Sequence, residues 1–343
     1  MPTVSANPGV MTLTQVMERF GPDQMLETKI VELLAQQNGV VTDAGWIMGN
    51  LPTGHQSKVR VGLPQVFATS FNEHVPTSAG SVMTIQEASM KVEARSLLDE
   101  DEAELGGKGN ADLNRAMEAY GFAESLNQFF AYNVFYGNPT TNTKLIKGLS
   151  SRYSSLEGGN AQNIIDGGGT AGTNLSIWIV CWKPTGATMF YPMGATAGIF
   201  HQFEGVLPLP SNNSSLYPDA GPALQRFYSD FWRWKYGLSI PDWRNAVRIC
   251  NIDVPSLLQV GAGASITDLL MMARERIPNI ESGRTVIYMN RTAKQMLNIQ
   301  RRNDVKGGGQ LEYAVVDGVQ IPAWEGIPIR IVDQLLNTES RVV

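Results

Sequence analysis

Between His55 and about Arg95 the chain carries a long two-stranded hairpin that brings no core of its own. Val59, Val61 and Leu63 alternate with Lys58, Arg60 and Gly62, the period-two signature of a strand. The segment NEHVPTSAGS at 73–82 is rich in turn residues, and a second strand-like run, MTIQEASMKVEA, follows it. An isolated hairpin of this length is marginal in water, because it buries too little apolar surface. It must therefore lie on something else. The rest of the chain offers few spare apolar faces, so packing on a neighbouring subunit is the natural solution.

The surroundings of the hairpin read as follows. Residues 1–22 are polar and punctuated by Pro and Gly, as in an extended arm ordered by a neighbour. Met25, Ile30, Leu33 and Leu34 mark a short amphipathic helix over about 23–37. The acidic run Asp99, Glu100, Asp101, Glu102 and Glu104 reads as a solvated loop or helix start and ends at GGKGN. That glycine cluster is no phosphate-binding loop, since no Ser or Thr follows Lys108 and no apolar strand precedes it. The longest helix is predicted over 112–137, with Leu113, Met117 and Tyr120 as one stripe and Phe122, Leu126, Phe129 and Phe130 continuing it. Gly137 and Pro139 supply its stop. A single long helix beside a long hairpin suits a plate-like subunit better than a small-molecule enzyme.

From 175 to about 253 the chain is β-rich. LSIWIVCW is almost continuously apolar, as in a strand buried on both faces. The stretch from Phe227 to Trp243 interleaves aromatics with Arg226, Arg233, Lys235, Arg244 and Arg248. A nucleic-acid stacking platform would look like this, but so would a packed sheet surface, and the net charge favours the second. The last part alternates helix and strand. Ser265 caps a helix whose core face is Ile266, Leu269, Leu270, Ala273 and Ile277. Asn290 caps the next helix, RTAKQMLNIQRR, and an Asp317–Gly318 turn joins two further strand runs. We read about 255–335 as an α/β unit with its own core.

Chemistry is scarce. The 343 residues include 27 basic and 32 acidic side chains, a net charge of −5, which argues against tight nucleic-acid binding through phosphates. Only three histidines occur, His55, His74 and His201, and none has a second His or Cys at metal-ligand spacing. No catalytic motif appears. The GGGTAG at 167–172 precedes a strand and not a helix N-terminus, which speaks against a phosphate cradle. Asp253 and Asp333 close apolar strands and read as turn caps or as partners of Arg at a subunit contact. Cys181 and Cys250 sit in apolar runs as small buried hydrophobes. No signal peptide and no membrane-spanning run is found. No catalytic, cofactor-binding or metal residue is assigned, and no cofactor is expected.

In the last third, TVIYMNRTAKQML followed by LEYAVVDGVQIPAWEGIPIRIVDQLL, with Gly326, Pro328, Ile329 and Asp333, resembles the major capsid proteins of tailed phages. SIWIVCWKPTGATMFYPMGATAGI and RWKYGLSIPDWRNAVRICNID resemble the β region of the podovirus-type members. The resemblance implies an α+β chain of the Hong Kong 97-type capsid fold, with an N-terminal arm, an extended hairpin loop, a long spine helix and an axial α/β domain. The division it implies is 1–50 arm and short helix, 51–98 hairpin, 99–254 peripheral domain and 255–343 axial domain. The function implied is self-assembly into an icosahedral shell around a double-stranded DNA genome. Its partners would be further copies in hexamers and pentamers, the portal protein, scaffolding and decoration proteins, and DNA in weak contact, with no membrane. The chain would reside in the virion capsid after assembly in the host cytoplasm. Candidate subunit contacts are Lys58, Val59, Arg60, Val61 and Leu63 on the hairpin and Asp99, Glu100, Asp101 and Glu102 opposite them. An encapsulin-like compartment shell is the first alternative; a carboxylate-based α/β hydrolase and a tail-tube or fibre protein are others.

Overall fold

A computed structural model describes residues 36, 38–104, 111–170, 172–210, 224–259, 263–303, 312–316 and 319–343. The expected arm at 1–22, all but Gln36 of the expected helix at 23–37, the GGKGN loop and the Asp317–Gly318 turn lie outside the described residues. The strands are β1 (Trp46–Met48), β2 (Gly54–Gly62), β3 (Ser81–Ala88), β4 (Met90–Asp99), β5 (Ile164–Asp166), β6 (Asn174–Trp182) and β7 (Thr188–Tyr191). They continue with β8 (Ile199–Pro210), β9 (Leu224–Ser239), β10 (Ala246–Asp253), β11 (Arg284–Met289), β12 (Glu312–Val316), β13 (Val319–Trp324) and β14 (Ile327–Ile331). The helices are α1 (Val40–Asp43), α2 (Glu100–Ala103), α3 (Ala111–Tyr136), α4 (Leu149–Arg152), α5 (Val254–Leu258), α6 (Ile266–Glu275) and α7 (Arg291–Asn303).

The chain divides into two compact units. The larger spans 36–90, 128–197 and 235–343 and is built on a seven-stranded mixed sheet ordered β12-β13-β14-β11-β6-β10-β5. β6 is an inner strand, antiparallel to both β10 and β11, and all nine of its residues are buried. This is why its sequence is apolar without alternation: both faces are covered. Leu175, Ile177, Ile179 and Cys181 face the cluster formed with α6 and α7. On alternate positions Trp178 meets Phe135 of α3 at 6.2 Å and Tyr153 at 5.9 Å between ring centroids.

The expected core face of α6 is buried as read, and Ser265 accepts from the Asp268 amide at 3.4 Å. Asn290 caps α7 by accepting from the Ala293 amide at 2.8 Å. The α/β unit, however, does not keep its core within 255–335. Its sheet recruits β5, β6 and β10 from earlier in the chain, and the same hydrophobic cluster runs from Ile165 to Ile329. Strands of one sheet need not be close in sequence, and nothing local reports such a pairing.

The smaller unit comprises residues within 91–127 and 198–234. In it β9 runs between β4 and β8, and the β8–β9 ladder extends from Ile199↔Trp234 to Pro210↔Leu224 with one bulge at Phe203/Gly205. The aromatics of β9 are sheet-packing residues: Phe227, Trp232 and Trp234 are buried, the two tryptophans on alternate positions. Trp232 also stacks on Phe122 of α3 at 4.7 Å between centroids.

Helix α3 has 26 residues, about 39 Å at ~1.5 Å per residue. Its expected Leu113–Met117–Tyr120 stripe is not the packed face, since Leu113 and Tyr120 are exposed. Within the smaller unit its packed side is partly polar. There Asn114 donates to the Ala103 carbonyl at 2.9 Å, and Arg115 pairs with Asp230. Phe129 is exposed as well, while Leu126, Phe130, Val134 and Phe135 are buried.

Candidate assembly surfaces

The hairpin of β2 and β3 is a two-stranded sheet with no third strand. Its register runs from Gly54↔Ala88 to Gly62↔Ser81. The second strand-like run of the sequence is two strands, not one. It breaks at Ser89, and β4 leaves the hairpin for the sheet of β9. The physical reason is the root. Both the amide and the hydroxyl of Ser89 donate to the Thr53 carbonyl at 2.9 Å, which ends the ladder there.

That root is held from several sides. Arg152 of α4 grips Glu87 with two bonds of 2.6 and 2.8 Å and also donates to the Leu238 carbonyl. Asn50 brackets Gln56 by donating to its carbonyl at 2.8 Å and accepting from its amide at 2.7 Å. A Cβ at Gly54 would lie 2.2 Å from the Glu87 carbonyl oxygen, so only glycine allows this approach. The His55 ring packs on Phe190 at 5.5 Å, and burial pushes its pKa down.

Beyond the root the hairpin becomes a finger in solvent. Phe71 is fully exposed, Val66 is 93% exposed and Leu63 80%, and Val61, Val75, Val82 and Met83 are exposed too. The tip is nevertheless shaped. Ser78 accepts from the Gln65 amide at 2.8 Å, and Glu73 accepts from the Ser70 amide at 2.8 Å. Of the hairpin candidates, Lys58, Arg60, Val61 and Leu63 are exposed and Val59 is half-buried.

The acidic candidates lie in the smaller unit, at the end of β4 and in α2. Asp99 caps α2 by accepting from the Asp101 amide at 2.9 Å, and Gln225 donates to its carboxylate. Glu100 pairs with Arg226 at 3.3 Å. Asp101 is exposed and Glu102 half-buried. Asp99 and Glu100 are thus engaged within the chain, which a reading of charge alone does not show.

Sequence reasoning missed the main polar locks of both units, because each joins residues far apart in the chain. In the smaller unit Asp230 accepts from Arg115 at 2.7 and 2.9 Å and from His201 at 2.9 Å. Burial pushes the Asp230 carboxyl up, but the Arg115 and His201 bonds outweigh it and hold the pKa below the usual range. In the larger unit Asp43 is fully buried between Arg284 at 2.7 Å and Arg330 at 3.0 Å. Glu339 is buried against Arg248 at 2.8 Å and also accepts from Ser176 and Tyr136. Asn251 adopts a left-handed φ of 56° at a bulge of β10. Its amide donates to the Val342 carbonyl at 2.9 Å and accepts from the Val342 amide at 2.8 Å.

The residues first weighed for chemistry have structural roles. Asp253 caps α5 by accepting from the Ser256 amide at 3.0 Å. Asp333 pairs with Arg291 at 2.6 Å within the chain. In GGGTAG the Gly167, Gly168 and Gly169 amides already donate to the Cys250 carbonyl, the Asp166 side chain and the Asn251 carbonyl. Cys250 is buried, and burial pushes its thiol up to about 11. Among the described residues no group of three His, Cys, Asp or Glu side chains could hold a metal ion. Among them, too, no helix is long and apolar enough to cross a membrane.

A rooted hairpin finger, a long helix and a seven-stranded α/β unit together define a subunit of the Hong Kong 97-type capsid class. The family model for "Major capsid protein GP7" matches residues 21–343. The chain belongs to this family of tailed-phage major capsid proteins. A chain of the cryo-EM structure of bacteriophage Epsilon15 is similar at 26% identity and a TM-score of 0.73, covering 100% of this chain and 99% of that one. A chain of the bacteriophage JBD30 capsid matches at 11% identity and a TM-score of 0.46, covering 95% and 99%. An encapsulin of Synechococcus elongatus matches at 10% identity and a TM-score of 0.42, covering 70% and 96%. No curated protein matches. The family match favours the phage capsid over the compartment shell.

Proposed function

We propose that many copies of this chain tile a closed icosahedral shell around double-stranded DNA, each finger lying across a neighbouring subunit. The observation that carries this is the pairing of a clamped root with an uncovered apolar tip. A hairpin fixed by Arg152 and Asn50 yet exposing Phe71, Val66 and Leu63 is stable only where another surface covers it. Burial at roughly 25 cal/mol per Å² then supplies most of the association energy. Lys58 and Arg60 add contacts with the acids at 99–102 of the neighbour, each exposed pair contributing about 0–1 kcal/mol.

In this reading residues 1–50 are the arm, 51–98 the extended loop, 99–254 the peripheral domain and 255–343 the axial domain, the last completed by β5, β6 and β10. The role is mechanical, with no catalysis and no cofactor. Portal, scaffolding and decoration proteins are the other partners. Assembly takes place in the host cytoplasm, and the net charge of −5 lets packed DNA slide along the inner wall.

The test replaces residues 63–80 by a two-residue turn joining Gly62 to Ser81. Negative-stain microscopy of the parent should show shells or capsomers. The shortened chain should keep its far-ultraviolet spectrum and melting temperature and close no shells. Closed shells from the shortened chain would sink the role given to the finger.

A further inference from the structure

The polar side chains that hold the root of the finger are paired, and one beside them is not. Glu87 is buried with both carboxylate oxygens on Arg152, and the Asn50 side chain is spent on Gln56. His55 stands opposite Glu87 in the β2–β3 ladder. Its Nδ1 is buried and has no hydrogen-bond partner among the described residues. A neutral imidazole carries one N–H, so Nε2 can hold it and leave only a lone pair at Nδ1. A protonated ring carries an N–H at both nitrogens, and the one at Nδ1 would be buried without an acceptor. The neighbouring elements do not help it. From β3 comes Glu87, already claimed, and from α4 comes Arg152, whose like charge opposes protonation. β7 and the turn at 49–53 carry no charged side chain. Along β2 the nearest charge is Lys58, three residues on and on the opposite face. The ring of Phe190, against which His55 lies, is itself backed by β9: a Cβ at Gly237 would collide with it.

We propose that His55 is an acid-sensitive latch at the root: the neutral ring closes the hairpin onto Phe190, and a protonated ring opens the ladder there. Burial already holds the pKa of His55 below its ordinary value. An opened root returns the ring to water, where it titrates near about pH 6.5. The latch is therefore at full strength above about pH 6.5 and weakens as pH falls towards the lower value of the closed root. Each pH unit between the two values raises the opened fraction about tenfold. The Asp230 carboxyl of the smaller unit titrates below about pH 4, so the two acid effects fall in separate windows. The bearing of the latch on assembly rests on the shell reading, since a loosened root no longer aims the finger. The latch itself belongs to one chain and is measured whether or not shells form.

Hydrogen–deuterium exchange of the full-length chain is followed from about pH 7.5 to about pH 5, with rates corrected for the intrinsic pH dependence of exchange. In the parent, the protection of peptides covering 54–58 and 84–89 should fall by about tenfold or more. The buried strand β6 at 174–182 should keep its protection over the same range. His55→Phe keeps a ring against Phe190 and has no proton to take up, so its root should stay protected throughout. Equal loss in parent and variant, or no loss in the parent, overturns the latch. Should His55→Phe fail to fold, proton NMR of the parent decides. The chain has three histidines. His74→Gln at the exposed tip and His201→Gln identify two ring titrations and leave the third as that of His55. It should lie below about pH 6.5. A value at or above that would mean that Glu87 or the Phe190 face stabilises the charged ring, and would overturn the latch equally.

Discussion

The finger and the seven-stranded sheet are both β structure, and they solve opposite problems. In the sheet, β6 is buried on every residue and the charges that enter are paired, as with Arg248 and Glu339 or Asp43 and Arg330. In the finger, Phe71 and Val66 stand in solvent while the polar groups hold its shape. The sheet therefore spends its side chains on the stability of one chain. In the proposed shell the finger's side chains serve a surface that one chain does not contain. Substitutions should divide along the same line.

The largest expected loss is in the sheet. Glu339→Ala leaves Arg248 buried without its counter-charge and should cost about 3–5 kcal/mol in urea unfolding. A value below 1 kcal/mol would mean that the pair is not desolvated. Asn251→Ala removes both bonds to Val342 and keeps the left-handed backbone, for a loss of about 1–3 kcal/mol by the same measurement. At the finger's root, Glu87→Gln weakens the Arg152 grip and should cost about 1.5–3 kcal/mol. It should also slow shell formation followed by light scattering more than its stability loss alone explains.

The fourth prediction concerns pH. The folded Asp230 carboxyl lies below its unfolded value, so its stabilisation is complete above about pH 4. It is lost as pH falls through the lower folded value. Thermal scans of Asp230→Asn should therefore show a shallower decline below pH 4 than the parent. The smallest stability effect and the largest assembly effect should coincide in Phe71→Ser. Its unfolding free energy should stay within about 0.5 kcal/mol of the parent, while shells fail to close. If Phe71→Ser unfolded the chain instead, the contrast between finger and sheet would be lost.

What the sequence revealed follows from the range over which each signal acts. The alternation of Val59, Val61 and Leu63 reports a strand because period two is local. The unbroken run of β6 reports two covered faces, and Ser265 and Asn290 report helix starts, because caps act within one turn. Arg152 carried no signal: it sits among serines, and its partner Glu87 is 65 residues away. The break at Ser89 was invisible because β-formers continue on both sides of it. The stripe on α3 misled for a related reason. Periodicity finds the apolar face, whereas within the smaller unit the helix packs through Asn114 and Arg115. Of the candidate assembly surface, the hairpin was legible and its anchorage was not.

The clasp between Asn251 and Val342 bears on how the chain is made. A polypeptide still emerging from the ribosome holds β6 and β10 long before β11, β14 and residue 342 have been synthesised. The inner strand β6 must then wait, apolar on both faces, for partners translated about a hundred residues later. Folding of the larger unit is therefore completed only after Val342 has cleared the exit tunnel, so chains that terminate early lack the clasp and would be poor recruits to a growing lattice.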